Sequence, residues 1–371
     1  MTTTPLPSVT GITTALPPTP SRVGHEFAEW LENRALELDA HSNLASELLP
    51  RLAAEQVFGL GVPEASGGVA HSQFEDAVDA IAEVAQYSLT AAFVLWSQRS
   101  FIEYLLHTSC TALRERYLPS LLSGQIAGST GLSNALKYLS GMETLHVRST
   151  AQDEHTWRLQ GSLPWLTNLR PQNYVVAVPI ATPDQQAAIA VIAASDRRQT
   201  RSPDIALVAL QASNTAALTI DGLVIDPRTQ LLDHDAAAFI ARVRPKFLAL
   251  QCSMSLGLIQ RCLHQVRHHP APAPVLLRAA QAAQERLNTL RQALLDGVAS
   301  EHFLSHPKAL FTLRIALAEL VGEASALESA NEGGVSFIAG ARPQTQRRLR
   351  EAQFIPIVTP TVAQLKAVLA S

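Results

Sequence analysis

The spacing of apolar residues changes twice along this chain, and the two changes restrict its possible folds. Residues 21–123 repeat apolar side chains at helical spacing, as in FEDAVDAIAEVAQYSLTAAFVLWSQRSFIEYLLH. Residues 124–233 carry short β-like runs separated by turn residues, among them NYVVAVPI, AAIAVIAA and IALVAL. Helical spacing then returns and persists to TVAQLKAVLA. The order of helices, strands and helices predicts an α+β fold, because a doubly wound nucleotide fold would alternate strand and helix throughout.

These changes also divide the chain into domains. The first twenty residues are rich in Thr and Pro and lack the basic start and apolar run of a secretory signal. One break, GLGVPEASGG, interrupts the first helical block and predicts a turn. The predicted division is a disordered tail at 1–20, an N-terminal helical domain at 21–123, a middle β-barrel or sandwich domain at 124–233 and a C-terminal four-helix bundle at 234–371.

Charge and cysteine content exclude several classes of protein. The 371 residues contain 29 Lys plus Arg against 32 Asp plus Glu, and no basic field favours nucleic acid or an anionic membrane as a partner. Three cysteines without a CxxC pair argue against a disulfide framework or a zinc site and favour a reducing cytoplasm. His302 and His306 have helical i, i+4 spacing but no third ligand, so no metal site is predicted.

The stretch WLTN at 165–168 is the most informative short motif. In a regular strand, residues i and i+2 point to the same face, which would place the Trp165 indole beside the Thr167 hydroxyl. A flat apolar plate next to a hydrogen-bonding group suits a planar heteroaromatic ligand. The alternative is ordinary packing of both side chains in a strand.

Five stretches in order resemble the acyl-CoA dehydrogenase family of flavoproteins, from about Leu48 to the C-terminus. No G-x-G-x-x-G or P-loop stretch competes with this reading. WLTN is similar to the family's W-[IL]-T-[NS]. The other four stretches are LGVPEASGG at 60–68, LPSLLSGQIAGSTGLSN at 118–134, LTIDGLVIDPRTQLLD at 218–233 and SLGLIQRCL at 255–263.

The resemblance implies FAD bound between the β domain and the C-terminal helices of a homodimer or homotetramer, with hydride passing from an acyl thioester or similar substrate to flavin N5. Trp165 would pack against the flavin ring and Thr167 would bond near N5. Leu132 and Ser133 match residues that touch the flavin pyrimidine. Thr361 matches the threonine of the family's E-G-T, although Thr361 and Gln364 also form a T-x-x-Q capping box for the last helix.

The chain departs from the family where the chemistry occurs. SNALKYLSGME replaces the family's T-E-P-x-x-G-S-D loop, and the R-x-x-F-G segment is missing. The base glutamate falls on Thr359, whose hydroxyl cannot act as a base at neutral pH, and its alternative helix position falls near Phe247. Glu351, the nearest carboxylate in sequence, is expected to pair with Arg347 or Arg348.

Three functions therefore stay open. The first is an FAD-dependent oxidoreductase of the acyl-CoA dehydrogenase type. The second is a flavin-dependent monooxygenase of the same fold, which has no use for the thioester base. The third is a non-catalytic subunit of a hetero-oligomer whose partner supplies the base.

Overall fold

The computed structural model describes residues 21–370, and the tail predicted at 1–20 lies outside them. The α+β fold class is confirmed: N-terminal helices lead into a central sheet, and C-terminal helices follow. The division into three domains at the stated boundaries stays a prediction. Among residues 21–370, none of the helices has both the length and the apolar character needed to cross a membrane.

The N-terminal block contains four helices around a buried central one. α4 is buried from Leu89 to Leu105, with α3 packed beside it and strand β1 across it. The predicted break between the second and third helices contains a short 3-10 turn at Glu64–Ser66. The helices are α1 (His25–Ala40), α2 (Ala45–Ala54), α3 (Phe74–Tyr87), α4 (Leu89–His107) and α5 (Thr111–Leu122).

Eight strands form one mixed sheet, ordered β6-β7-β3-β2-β4-β5-β8, while β1 runs parallel to one half of β4. β2 pairs in parallel with the other half of β4, and the remaining pairs are antiparallel. The strands are β1 (Ala127–Thr130), β2 (Val147–Ala151), β3 (Trp157–Leu166), β4 (Tyr174–Ala181), β5 (Ala187–Ala193), β6 (Gln199–Arg201), β7 (Ala216–Ile225) and β8 (Leu231–Asp233).

The remaining helices come after β1 in the sequence, and α8 is the longest of them. α8 is the centre of this block, because it packs against α3 and α4 on one side and against α9 and α11 on the other. Asp235 caps its start by accepting a hydrogen bond from the Ala238 N–H. The helices are α6 (Leu132–Leu139), α7 (Pro227–Gln230), α8 (Ala236–Arg267), α9 (Pro274–Ala299), α10 (His302–Ser305), α11 (Pro307–Glu332), α12 (Pro343–Phe354) and α13 (Val362–Ala370).

Two local predictions for the middle block were wrong. IALVAL at 205–210 forms no strand: Val208 is 91% exposed, and side chains accept the hydrogen bonds of two backbone N–H groups in this segment. The Leu207 N–H donates to Gln211, and the Leu210 N–H donates to Asp39. The second difference is α6, a helix within a stretch read as β, which directly follows β1.

Candidate functional site

Trp165 and Thr167, which the sequence predicts to lie side by side, differ strongly in burial. Leu163 pairs with Leu218 and Leu166 with Ala216, which leaves one extra residue of β3 in the interval. Such a bulge breaks the two-residue alternation of side chains, and β3 ends at Leu166. Trp165 is 60% exposed, whereas Thr167 is only 7% exposed.

Thr167 belongs to a buried polar seam at the end of β3. Its hydroxyl lies 3.4 Å from the Thr215 hydroxyl, which in turn lies 2.8 Å from that of Ser213. Its carbonyl accepts hydrogen bonds from the Ser97 hydroxyl of α4 at 3.2 Å and the Ser129 hydroxyl of β1 at 2.6 Å. These bonds fix the chain directly after Trp165 and so hold the indole in place.

The indole borders a small polar cavity of about 30 Å³, whose lining includes Ser133, Lys137 and His146. Lys137 Nζ lies 2.5 Å and His146 Nε2 3.6 Å from the Glu143 carboxylate. The hydrogen bond from Lys137 is the main cause that holds the pKa of Glu143 below its usual value. This volume lies far below the roughly 300–1,000 Å³ of ordinary ligand pockets, so the cavity alone does not enclose a three-ring heteroaromatic.

Helix α6 contains most of the sequence SNALKYLSGME, which stands in place of the family's T-E-P-x-x-G-S-D loop. Leu132, Leu136 and Leu139 recur at i, i+4 and i+7, a helical pattern that the expectation of β structure obscured. Leu132 is buried in the core, at 3% exposure, whereas the half-buried Ser133 lines the cavity beside Trp165. Asn134 holds the helix to the following chain, since it donates to the Thr144 carbonyl and accepts from the His146 N–H.

A second cavity, of about 370 Å³, lies on the other side of α6. Leu136 and Leu139 line this second cavity, whereas Ser133 and Lys137 line the small one, so α6 separates the two. The lining residues of the second cavity are Leu136, Leu139, Ser140, Ile240, Arg244, Phe247, Leu248, Phe311, Pro360, Gln364, Leu365 and Val368.

The second cavity lies beside both positions to which the family's base maps. Phe247 lines it from α8, and Pro360, which directly follows Thr359, lines it from the turn before α13. None of its lining residues is an acid, and the ionisable residue among them is Arg244. The site residue that sequence reasoning missed is therefore a cation.

A buried guanidinium holds the turn that carries Thr359. Arg314 is fully buried and donates to Gln251 Oε1 at 2.9 Å and to the Ile355 carbonyl at 2.5 Å. Gln251 Nε2 in turn donates to the Thr359 carbonyl at 2.9 Å. Burial is the leading cause that lowers the pKa of Arg314, and within residues 21–370 it forms no ion pair with a carboxylate. This link is formed between helices far apart in sequence and has no local signal.

Two expectations about local contacts are confirmed. The Thr361 N–H donates to Gln364 Oε1 at 2.7 Å, and the Gln364 N–H donates to the Thr361 hydroxyl at 3.1 Å, so the capping box forms. Glu351 pairs with Arg347 at 3.5 Å, with both side chains 1% exposed. The Thr361 hydroxyl is thus engaged at the helix start, and its predicted contact with a cofactor stays a prediction.

The residues around Trp165 fit only one face of a flavin ring. The exposed indole, with the Ser133 hydroxyl near it, supplies a plate on which a ring can stack. A ring enclosed between Trp165 and the second cavity does not fit the present arrangement, because α6 separates the two cavities. Within residues 21–370, no group of three or more His, Cys, Asp or Glu side chains is placed to bind a metal ion.

Comparison with known proteins agrees with this architecture. Residues 22–125 match the family described as acyl-CoA dehydrogenase, N-terminal domain. A search of curated proteins found no match. Butyryl-CoA dehydrogenase from Megasphaera elsdenii is similar in structure, with a TM-score of 0.80 and 17% identity over 94% of this chain and 96% of that one.

Two further solved structures have the same fold. Glutaryl-coenzyme A dehydrogenase in complex with glutaryl-CoA matches with a TM-score of 0.77 and 18% identity, covering 93% of each chain. KijD3 in complex with FMN and a dTDP-linked amino-keto sugar matches with a TM-score of 0.75 and 17% identity, covering 93% of this chain and 90% of that one. The N-terminal segment thus matches this family's N-terminal domain, and the described chain shares the fold of these solved structures.

Proposed function

We propose that this chain is an FAD-dependent oxidoreductase of the acyl-CoA dehydrogenase type, which takes hydride from an acyl thioester or a related acyl compound. The observation that carries the proposal is the Trp165 indole, a large apolar plate left 60% exposed at the WLTN motif. An exposed aromatic face held by a rigid backbone suits stacking of a planar ligand. Bound flavin would supply the hydride acceptor.

The roles of the chain's own residues follow from their positions. Trp165 would support one face of the ring and Ser133 would hydrogen-bond at its edge, while the second cavity would take the acyl group between Leu136, Phe247 and Leu365. Its volume lies near the lower end of ordinary ligand pockets, roughly 300–1,000 Å³. Since α6 now separates plate and cavity, the proposal requires α6 to be displaced when both ligands bind.

Oligomerisation belongs to the same proposal. The resemblance implies a homodimer or homotetramer, and a second subunit would cover the ring face that a single chain leaves open. The motifs that would hold the FAD phosphates are replaced in this chain, so phosphate contacts would have to come from other residues. FMN, which KijD3 binds, is therefore a control ligand in the test below.

One observation favours a second function, a non-catalytic subunit of a hetero-oligomer. The second cavity contains no carboxylate at either position to which the family's base maps. A partner chain that supplies the base would make this loss harmless. This alternative predicts a colourless protein that does not bleach added flavin with any acyl-CoA.

The absorption spectrum of the full-length protein tests the proposal. After incubation with FAD or FMN and removal of unbound ligand, a retained flavin band supports it, and anaerobic bleaching by a panel of acyl-CoAs supports dehydrogenase chemistry. Bleaching only by an external reductase, followed by oxygen uptake, would favour a monooxygenase instead. A protein that retains neither flavin overturns the proposal.

A pair of variants tests whether the Trp165 indole supports the flavin ring. Trp165→Ala should reduce flavin retention at least tenfold, because it removes the stacking face. Phe337→Ala is the matched control, since Phe337 is an aromatic residue with 84% exposure elsewhere on the surface. Both variants should unfold at nearly the wild-type denaturant concentration, because exposed side chains contribute little to stability. Unchanged retention in Trp165→Ala would remove Trp165 from the site.

A further inference from the structure

Arg244 lines the second cavity and has no counter-charge in the described part of the chain. It lies on α8, with its guanidinium carbon 5.5 Å from the centre of the Phe311 ring. Its Nε is fully buried and has no hydrogen-bond acceptor, and within residues 21–370 Arg244 forms no ion pair. Burial is the cause that lowers the pKa of Arg244, with no nearby carboxylate to oppose it. A half-buried cation with an unsatisfied donor is costly unless something pairs with it.

Arg242, two residues earlier on α8, is an arginine with a carboxylate partner and serves as a comparison. Its guanidinium also lies over a phenylalanine ring, that of Phe239, at 5.8 Å. Unlike Arg244, it binds a carboxylate, that of Asp233, and its side chain is 45% exposed. Both arginines lie on α8 and contact a phenylalanine ring. They differ because Arg242 has a carboxylate partner, whereas Arg244 lines the second cavity and has no such partner among residues 21–370.

The rest of the cavity favours a single negative charge on an apolar body. Most of its lining is aliphatic or aromatic, with Ser140 and Gln364 as the other polar side chains. The Gln364 Oε1 accepts a hydrogen bond from the Thr361 N–H, whereas the Gln364 Nε2 donates to no acceptor within residues 21–370. One guanidinium and one amide donor can satisfy a carboxylate, whereas a phosphate dianion would need more donors.

We propose that the second cavity binds an amphipathic carboxylate, a small aliphatic acid or an acyl group that ends in a carboxylate, with the carboxylate paired to Arg244. The apolar part lies against Leu136, Phe247 and Leu365, and the Arg244 guanidinium and the Gln364 Nε2 donate to the carboxylate oxygens. Arg244 is thus a specificity-determining residue that selects an acid over a neutral chain of the same length. This binding needs no flavin and holds whether or not the chain is an oxidoreductase.

Calorimetric titration of the flavin-free, full-length protein tests the proposal. The probes are octanoate and octanol, which share an apolar chain and differ in charge. Octanoate should bind the wild type roughly 10- to 100-fold more tightly than octanol, the range expected for hydrogen bonds to a charged group. Arg244→Gln should abolish that preference and leave octanol binding unchanged.

Two further variants make the result specific. Arg242→Gln is the matched control and should keep the preference for octanoate, since Arg242 already has a partner. Arg244→Glu should reverse the preference and bind octylamine more tightly than octanoate. Equal binding of octanoate and octanol by the wild type would overturn the proposal, as would a preference that survives in Arg244→Gln or disappears equally in Arg242→Gln.

The outcome is separable from that of the proposed function. Loss of flavin binding leaves the titration of the flavin-free protein unaffected. Conversely, a flavin-loaded protein that is bleached by acyl-CoA but shows no preference for octanoate would keep the oxidoreductase and remove the role of Arg244.

Discussion

Replacing Gly257 by alanine should destabilise the protein, although helix propensity alone predicts the opposite. Gly257 lies within α8, where alanine is favoured over glycine by about 1 kcal/mol. In the structure, however, a Cβ at this position would lie 1.9 Å from the Ala82 carbonyl oxygen and 2.8 Å from the Ala85 Cβ. Both atoms belong to α3, so the two helices can pack this closely because position 257 has no side chain.

The magnitude follows from how far the helices must separate. Relief of the clash requires a shift of roughly 1 Å, and such a gap forfeits up to about half of the dispersion energy of the facing contacts. Overpacking of a core costs about 1–3 kcal/mol, and a clash with rigid backbone belongs at the upper end. After the gain of about 1 kcal/mol from helix propensity, the net loss should be about 2 kcal/mol.

Urea unfolding followed by circular dichroism measures this difference. Gly322→Ala is the matched control, because Gly322 is an exposed residue within α11 and an added Cβ there meets no atom within 4 Å. That variant should gain about 0.5–1 kcal/mol. A Gly257→Ala protein as stable as the wild type, or more stable, would show that α3 and α8 do not approach as closely as described.

Three further predictions concern single groups. Thr361→Ala should lower the free energy of unfolding by about 1 kcal/mol through loss of the α13 cap, and Thr361→Ser should restore it; equal urea midpoints for the two variants would contradict that role. Burial raises the pKa of Glu351 despite the opposing charge of Arg347, so its stabilising contribution is complete below the ordinary glutamate pKa and is lost as pH rises through the raised value. The stability of the wild type relative to Glu351→Gln should therefore fall as the pH rises above the ordinary glutamate pKa of about 4, and a difference that does not change with pH would refute this. Burial raises the pKa of Cys252 to about 11 and that of Cys262 well above its usual value, whereas Cys110 is half-buried. One thiol should therefore react with a thiol reagent at neutral pH in the native protein, and three should react after unfolding. Rapid reaction of all three thiols without denaturant would show that α8 opens readily.

Contacts between residues close in sequence were predictable. The capping box of Thr361 and Gln364 spans one helical turn, and so does the pair of Arg347 with Glu351. The helical blocks could be predicted for a similar reason, since one face of each helix must be apolar wherever the helix packs. The family resemblance rests on short motifs and needed no knowledge of their arrangement.

The arrangement of the candidate site could not be predicted in the same way. WLTN predicted two side chains next to each other, but Trp165 is 60% exposed beside a bulge opposite β7, whereas Thr167 is buried and contacts the Thr215 hydroxyl. The bulge depends on how β3 pairs with a strand some fifty residues later, as the register of Leu166 with Ala216 shows. Arg244 likewise has no distinguishing signal in the sequence, because the cavity that it lines is formed by segments far apart in the chain.

Sequence alone therefore determined the order of helices, sheet and helices, the family to which the chain is similar, and the loss of a carboxylate at the positions of the family's base. Tertiary structure decided that α6 separates the exposed indole from the larger cavity, and that a guanidinium without an ion pair among residues 21–370 lines that cavity. The physical reason is that periodicity and capping act over a few residues of one segment. Cavities, counter-charges and strand register arise only where distant segments pack together.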